Sequence, residues 1–411
     1  MPAADKAVAA APRADLIDRL AVQTAERQHR LLLRRLRTVD HADGPWLEIG
    51  GQRLLSFCSN DYLGLAQHPQ IVAALKRCAD HEGVGSASAH LVCGHRAEHA
   101  ELEEALAAWT GRERALLFST GYMANLGVLQ ALLARGDLCV QDKLNHACLL
   151  DGAQLAGAEL KRYPHADAQG AARQLAGRSE AAALLATDGV FSMDGDIAPL
   201  PALAALCTRE RATLMVDDAH GLGVLGERGA GSVVAAGLGQ REVPVLMATL
   251  GKALGCAGAF VAGPQALVEG LIQFARPYIY TTAMPPALAA AALAAVELAQ
   301  GEAWRREKLA ALIARFRSGA AQLGLQLMPS PSAIQPVVLG DAAAALAAAQ
   351  ALERSGLLVT AIRPPTVPAG SARLRITLSA AHSEQHVDRL LLALGALRLP
   401  APEPGLSHRP V

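Results

Sequence analysis

Short apolar runs alternate with helical segments over the first two thirds of the chain. Each run is four to seven residues long and consists mostly of Val, Leu and Ala, which is typical of strands buried on both faces of a parallel sheet. Segments with helical spacing lie between the runs, for example at 97–108 and 202–210. The alternation predicts a mostly parallel, doubly wound α/β sheet. Its predicted strands are 114–118, 138–141, 181–187, 212–216 and 243–249.

The pattern differs on either side of this region. Before it, 14–37 has helical spacing, and Gly44-Pro45 and Gly50-Gly51 predict a hairpin within 38–57. After 281–286 comes an Ala-rich helix and then a mixture of helices and short strands. We therefore predict a helical arm and hairpin at 1–57, a large α/β domain at 58–290, a small α+β domain at 291–398 and a loose tail at 399–411.

Four arginines recur at helical spacing near the start of the chain. Arg27, Arg30, Arg34 and Arg37 are three or four residues apart, so a helix over 14–37 would place them on one face. Two interpretations remain open. The face is either a solvated surface or a site for an anion such as the phosphates of a coenzyme.

Composition and charge exclude several classes of protein. Lys and Arg number 38 and Asp and Glu number 38, so the chain lacks the basic excess of a general nucleic-acid binder. No run of 18 apolar residues is free of charge, and the start lacks the pattern of a signal peptide, so no membrane span is predicted. The seven cysteines are scattered, which favours reduced thiols in the cytoplasm over disulfides or a metal site.

Carboxylates and a lysine follow two consecutive predicted strands. Asp217 ends one strand and His220 comes three residues later, while Thr249 and Lys252 follow the next strand. The carboxyl ends of such strands face the ligand crevice. An aspartate followed by such a lysine is the arrangement of a pyridoxal phosphate (PLP) enzyme, in which lysine holds the cofactor and aspartate keeps its ring protonated. Alone, the aspartate and histidine could form a metal site or a helix cap, and the lysine could be solvated.

Two further elements fit the same crevice. A strand passes through Ser119-Thr120-Gly121-Tyr122 into a helix, whose first N–H groups can hold a phosphate. His146 follows another strand and could stack on a cofactor ring, although a core histidine is the ordinary interpretation. Neither G-x-G-x-x-G after the first strand nor G-x-x-x-x-G-K-[ST] is present, which counts against a dinucleotide enzyme or a P-loop.

Together these motifs resemble the α-oxoamine synthases, which are fold-type I PLP-dependent transferases. The resemblance covers about 34–394, and its motifs lie at 58–65, 188–196, 216–223, 249–252, 279–286 and 361–375. The last of these is most like the members that join L-alanine to a pimeloyl thioester in biotin biosynthesis. The resemblance implies a large PLP-binding domain with a mostly parallel sheet and a smaller C-terminal domain.

The resemblance implies a role for each matching residue. Lys252 would carry PLP, Asp217 would pair with the pyridine nitrogen, His220 would hydrogen-bond the phenolic oxygen and His146 would stack on the ring. The remaining implied cofactor ligands are Gly121, Tyr122, Ser192, Thr249 and, reaching the phosphate of the partner subunit, Thr281 or Thr282. The implied substrate contacts are Arg375 for the carboxylate of the amino acid, Arg34 and Thr366 for the acyl substrate, and Asn60.

The resemblance also implies partners. The substrates would be L-alanine and pimeloyl-CoA or a pimeloyl-acyl carrier protein, and the enzyme would be a cytoplasmic homodimer with shared active sites. The sequence leaves the acyl carrier and chain length open. Alternatives are a sister synthase that uses glycine or another acyl-CoA, a non-catalytic subunit of the same fold, and a nicotinamide dehydrogenase.

Overall fold

The N-terminal helix is shorter than predicted. The computed structural model describes residues 13–30, 32–178 and 180–397, so the predicted tail at 399–411 lies outside the described residues. Helix α1 (Leu16–His29) begins after the N-cap Asp15. None of its side chains is buried, so tertiary packing does not stabilise a longer helix.

The prediction of one helical arginine face is therefore wrong. Arg34 and Arg37 lie in irregular chain beyond α1. Arg37 contacts the C-terminal part of the protein, where it donates a 2.8 Å hydrogen bond to Glu353.

The predicted hairpin is confirmed and has a third strand. Its strands are β1 (His41–Asp43), β2 (Trp46–Ile49) and β3 (Gln52–Ser56). They pair antiparallel in that order. The turns use Gly44, Gly50 and Gly51, all with positive φ, which glycine adopts without steric cost.

A seven-stranded sheet forms the centre of the described chain, in the order β4-β10-β9-β8-β7-β5-β6. Neighbours from β9 through β6 are parallel. Its strands are β4 (Arg114–Phe118), β5 (Leu138–Asp142), β6 (Glu159–Tyr163), β7 (Ala183–Asp188), β8 (Thr213–Asp217), β9 (Val245–Thr249) and β10 (Ala259–Gly263). The five predicted strands are confirmed, whereas β6 and β10 were not predicted.

Strand β10 sets the direction of β4. It pairs antiparallel with both β4 and β9, so β4 runs in the same direction as β9. The carboxyl ends of β4, β5, β7, β8 and β9 therefore lie along one edge of the sheet.

Helices cover both faces of this sheet, which buries it as a parallel sheet requires. Apolar clusters lie on either side, one including Leu116 and Met215 and the other Leu138 and Val216. The helices are α2 (Pro69–Glu82), α3 (Ala97–Thr110), α4 (Gly121–Leu132), α5 (Ala147–Ala156), α6 (Ala168–Ala176), α7 (Leu200–Glu210), α8 (Ser232–Ala235), α9 (Gln265–Phe274) and α10 (Arg276–Ile279). No helix in the described ranges is long and apolar enough to cross a membrane.

The C-terminal part is a smaller α+β unit. Its elements are α11 (Pro286–Gly301), α12 (Ala303–Gln322), β11 (Ile334–Gly340), α13 (Ala342–Arg354), β12 (Leu357–Leu358), β13 (Thr360–Ile362), β14 (Ala372–Thr377) and α14 (Glu384–Ala396). Strands β11, β14 and β13 form one sheet, and β12 pairs in parallel with β3. The predicted domain boundaries stay a prediction, and this pairing links the N-terminal strands to the C-terminal unit.

Candidate active site

A pocket of about 170 Å³ lies at the carboxyl edge of the central sheet. The loops that follow β4, β5, β7, β8 and β9 form its walls, because these strands end on the same edge. Eight of the predicted residues line this pocket: Gly121, Tyr122, His146, Ser192, Asp217, His220, Thr249 and Lys252. The fold thus brings together residues that are far apart in sequence.

The start of helix α4 forms one end of the pocket. Thr120 is its N-cap and accepts a 3.2 Å hydrogen bond from the Met123 N–H. The first N–H groups of a helix have no partner within the helix and favour an anion. Gly121 and Tyr122 occupy this first turn and face the pocket, so this end suits a phosphate.

Asp217 lies buried on the pocket floor at the end of β8. Its Oδ1 accepts from the Ala219 N–H at 3.0 Å, and its Oδ2 accepts from Asn125 Nδ2 at 2.7 Å. Asn125 is itself fully buried. Sequence reasoning missed Asn125, although its position four residues after Gly121 places it on the same face of α4.

A hydrogen-bonded chain joins Lys252 to the N-terminal part of the protein. Lys252 Nζ is 2.7 Å from His220 Nε2, and His220 Nδ1 is 2.7 Å from the Tyr62 hydroxyl. The Tyr62 O–H donates to Asn60 Oδ1 at 3.2 Å, and Arg375 donates to the same oxygen at 3.3 Å. Tyr62 was not predicted, because its motif gave no sign of a contact with His220.

The contacts of His220 are those of a neutral ring. Its Nδ1 lies 2.7 Å from the Tyr62 hydroxyl and its Nε2 lies 2.7 Å from Lys252 Nζ. A neutral imidazole donates a hydrogen bond at one nitrogen and accepts one at the other. Burial, followed by the charge of Lys252, lowers the pKa of His220 well below its ordinary value, which agrees with a neutral ring. Burial raises the pKa of Tyr62 to about 12, so its hydroxyl keeps its proton.

The environment also activates Lys252. Burial lowers the pKa of its amine, although the charges of Asp217 and Asp188 oppose this effect. A lower pKa increases the fraction of uncharged amine, which is the nucleophilic form. The turn before Lys252 is held by Thr249, whose hydroxyl donates to Gly258 O at 3.0 Å and accepts from the Gly251 N–H at 3.1 Å.

His146 projects from the loop after β5 as the N-cap of α5. Its Nδ1 lies 2.8 Å from Cys148 Sγ, and its backbone N–H donates to Asp188 Oδ1 at 3.4 Å. Burial and the nearby charge of Asp217 raise the pKa of Asp188 well above its ordinary value. Asp188 is thus a second buried carboxyl group on this wall.

Six of the predicted residues do not line the pocket. Thr366 lines a neighbouring cavity of about 320 Å³, and Arg34 is exposed in the segment after α1. Thr282 is exposed and pairs with Ala89, and half-buried Thr281 precedes it. Arg375 and Asn60 adjoin the pocket through the Tyr62 chain, and Arg375 also donates to Ser192 O at 2.7 Å.

Comparison with known proteins agrees with this geometry. The model of the "Aminotransferase class I and II" family matches residues 52–394. The 8-amino-7-oxononanoate synthase of Pseudomonas putida KT2440 is 60% identical over 375 residues, which span 91% of this chain and 96% of that protein. The chain belongs to this aminotransferase family and to its 8-amino-7-oxononanoate synthase branch. This confirms the predicted family, fold-type I architecture and PLP cofactor.

Further relatives give the same result. The 8-amino-7-oxononanoate synthase of Nitrosococcus oceani is 59% identical, covering 91% of this chain and 99% of that protein. Among solved structures, a serine palmitoyltransferase variant from S. paucimobilis with a bound PLP–myriocin aldimine superimposes with a TM-score of 0.89 at 31% identity. That match covers 93% of this chain and 98% of the solved chain. These relatives are named as synthases or as a transferase, which supports the enzyme prediction over a non-catalytic subunit or a nicotinamide dehydrogenase.

The residues of the pocket fit PLP. An amine, a buried carboxylate and a helix start are the three groups that the carbonyl carbon, pyridine nitrogen and phosphate of PLP require. Within the described chain, Asn125 Oδ1 is buried without a hydrogen-bond partner. The pocket therefore retains an unused polar atom beside Asp217, to which Asn125 is hydrogen-bonded. Lys252, Asp217 and Gly121 all line the one pocket.

Proposed function

We propose that this chain condenses L-alanine with a pimeloyl thioester, with loss of CO2, to give 8-amino-7-oxononanoate and a free thiol carrier in biotin biosynthesis. The observation that carries the proposal is the pocket in which Lys252, His220 and Asp217 meet, in a chain 60% identical to a synthase of that name. The cytoplasm is its proposed location.

The chain's own residues would hold the cofactor. Lys252 Nζ would bind its carbonyl carbon, Asp217 its pyridine nitrogen and the first turn of α4 its phosphate. His146 would lie against the ring, and His220 would hydrogen-bond the phenolic oxygen. Ser192 and Thr249 would complete the contacts. Bound PLP accepts the electrons that are released when a bond at the α-carbon of the amino acid breaks.

Lys252 would also move the protons of the reaction. Once alanine displaces it, its amine is free to take the α-proton and later to return a proton to the product. The lowered pKa of Lys252 favours this exchange near neutral pH. His220 Nε2 lies 2.7 Å from Nζ and would hold the amine facing the α-carbon.

The substrate sites would lie beside this centre. Arg375 would bind the alanine carboxylate through its planar guanidinium group, and Asn60 would orient Arg375 through their hydrogen bond. Thr366 would contact the acyl chain from the cavity next to the pocket. Arg34 would meet the acyl substrate from the exposed N-terminal segment.

A homodimer would explain the position of Thr281 and Thr282. Neither residue lines the pocket of its own chain, yet the resemblance assigns them to a phosphate. Exposed apolar side chains lie near them in sequence, including Phe274 and Tyr280, as expected of a surface that a partner covers. We therefore propose that they reach the pocket of the partner subunit.

Substrate choice tests the proposed function. Thiol release by the PLP-loaded enzyme is measured with L-alanine and pimeloyl-CoA, and with glycine and acetyl-, succinyl- or palmitoyl-CoA. We expect the alanine and pimeloyl pair to give the highest kcat/KM. A higher value for glycine with another acyl donor would leave the fold intact and assign a sister activity. Pimeloyl-acyl carrier protein is tested in parallel to identify the carrier.

A further inference from the structure

His165 lies outside the cofactor pocket, between two of the loops that form it. Its Nδ1 is 3.1 Å from Asp142 Oδ1, and its Nε2 is 2.7 Å from Asp196 Oδ2. Asp142 lies four residues before His146, and Asp196 lies four residues after Ser192. One imidazole ring therefore joins the loop that carries His146 to the loop that carries Ser192.

The loop that carries Ser192 is a thin wall between two spaces. One is the cofactor pocket and the other is the 320 Å³ cavity, which Phe191 lines. The Phe191 ring stands edge-on to His165, with centroids 4.4 Å apart at 90°. His165 therefore supports the wall from the side away from the cofactor pocket. The side chains on the pocket side are Asp188, Val190 and Ser192, and those on the side of the 320 Å³ cavity are Phe191, Met193 and Asp194.

The surroundings of His165 make it a cation. Burial opposes its protonation, but hydrogen bonds to Asp142 and Asp196 outweigh this and raise its pKa to about 10. Both nitrogens face carboxylate oxygens, so both carry protons, and the ring has no lone pair for a metal. The other charged groups around it are Asp194, which is ion-paired with Arg373, and Lys143, which lines the same cavity.

The two carboxylates that contact His165 differ in how many other hydrogen bonds hold them. Asp142 also accepts from the Leu144 N–H at 2.8 Å and the Ala166 N–H at 2.7 Å, so it would stay in place without His165. Within the described residues, the second oxygen of Asp196 is buried without a hydrogen-bond partner. The position of the Asp196 carboxylate therefore depends on His165.

We propose that His165 is a positioning residue, whose cationic ring holds the loops of His146 and Ser192 at the separation that bound PLP requires. This inference rests on the proposed function only in assigning those two loops to the cofactor. Loss of the ring charge would leave Asp142 and Asp196 facing each other without a cation between them. The wall would then shift relative to the cofactor, although no residue that touches the cofactor had changed.

Two variants test the proposal. His165→Gln removes the charge, and Asp196→Asn removes only one of the two carboxylates. PLP affinity is measured by titration of the apoenzyme, and the ring environment by circular dichroism in the cofactor's absorption band. We expect His165→Gln to raise the Kd for PLP about tenfold or more, as for loss of a buried charged hydrogen bond, and to change the dichroism. Asp196→Asn should have a smaller effect, and exposed His41→Gln should have none.

The pH dependence tests the charge. Because the pKa of His165 is raised, its contribution to stability is complete below about pH 6.5, the ordinary histidine value. It declines above that pH and is lost as the pH passes about 10. The difference in Tm between the wild type and His165→Gln should therefore shrink from pH 6 to pH 10.

The measurements separate positioning from a purely structural role. A His165→Gln enzyme with a lower Tm but wild-type PLP affinity and dichroism would overturn the proposal, as would a Tm difference that does not change with pH. PLP binding requires no acyl substrate. A wild type that binds PLP but fails to condense alanine would therefore contradict the proposed function and leave the inference about His165 intact.

Discussion

Tyr62 connects Lys252 to Arg375, the residue proposed to bind the substrate carboxylate. Its hydroxyl lies between His220 and Asn60, and it is buried beneath the pocket. Through it, hydrogen bonds connect Arg375 to Lys252, so a substrate at Arg375 would be linked to the amine. These hydrogen bonds hold His220 with Nε2 facing the Lys252 amine.

Removal of the Tyr62 hydroxyl tests this connection. Tyr62→Phe should lower kcat/KM about tenfold to a hundredfold, because His220 Nδ1 loses its buried hydrogen-bond partner. The thermal midpoint should change by only a few degrees. Steady-state kinetics and thermal unfolding are the measurements. A wild-type kcat/KM in this variant would show that the reaction does not depend on the hydrogen bonds through Tyr62.

Among single residues, substitution of Lys252 should cause the largest loss of turnover. Lys252→Ala should reduce turnover by more than about a thousandfold, because it removes the group proposed to move the α-proton. Exposed Lys76→Ala is the matched control and should keep wild-type turnover. Normal turnover by purified Lys252→Ala would contradict the assigned role.

Residue identity could be predicted where a strand end marks it. Asp217, His220 and Lys252 follow apolar strands, so their position in the crevice follows from sheet geometry. Asn125 and Tyr62 could not be found in this way. Their contacts with Asp217 and His220 join positions 92 and 158 residues apart, and no local pattern records such tertiary contacts.

Helices and strands, like single residues, could be predicted where the local sequence determines them and not where tertiary contacts do. The five predicted strands form because each is an apolar run between turns. Strand β10 consists of Ala, Phe, Val and Gly, and its antiparallel direction depends on pairing with both β4 and β9. The C-terminal end of α1 was misplaced, since arginine spacing is compatible with a helix but does not stabilise one without packing.

Two glycines test the difference between a turn and a helix interior. Gly255 has φ +65°, and a Cβ there would collide with the Ala66 backbone, so Gly255→Ala should lower Tm by several degrees. Gly270 lies within α9 with nothing within 4 Å of an added Cβ. Gly270→Ala should leave Tm unchanged or raise it, since alanine favours a helix by up to about 1 kcal/mol. The opposite order of the two midpoints would contradict the described backbone.

At the scale of the molecule, the C-terminal unit completes the site. Arg373 and Arg375 reach from β14 to the wall after β7, where Arg373 pairs with buried Asp194 and Arg375 donates to Ser192 O. The sequence predicted a large and a small unit, and the resemblance named Arg375. The Arg373 contact depends on the packing of the two units, which the sequence does not reveal.

The proposed dimer can be tested at the same scale. Sedimentation should give twice the chain mass of 42.7 kDa, or about 85 kDa. Thr281→Val with Thr282→Val should weaken PLP binding about tenfold, through loss of hydrogen bonds to the partner's phosphate. Exposed Thr360→Val is the control. A fully active monomer of 42.7 kDa would contradict shared sites.

The most direct measurement follows the carboxyl carbon of alanine. The wild-type enzyme is given L-[1-13C]alanine and pimeloyl-CoA, and labelled CO2, free thiol and product are measured together by mass spectrometry. The proposed reaction predicts one labelled CO2 for each thiol and an unlabelled 8-amino-7-oxononanoate. Thiol release without labelled CO2, or a product that keeps the label, would contradict decarboxylative condensation.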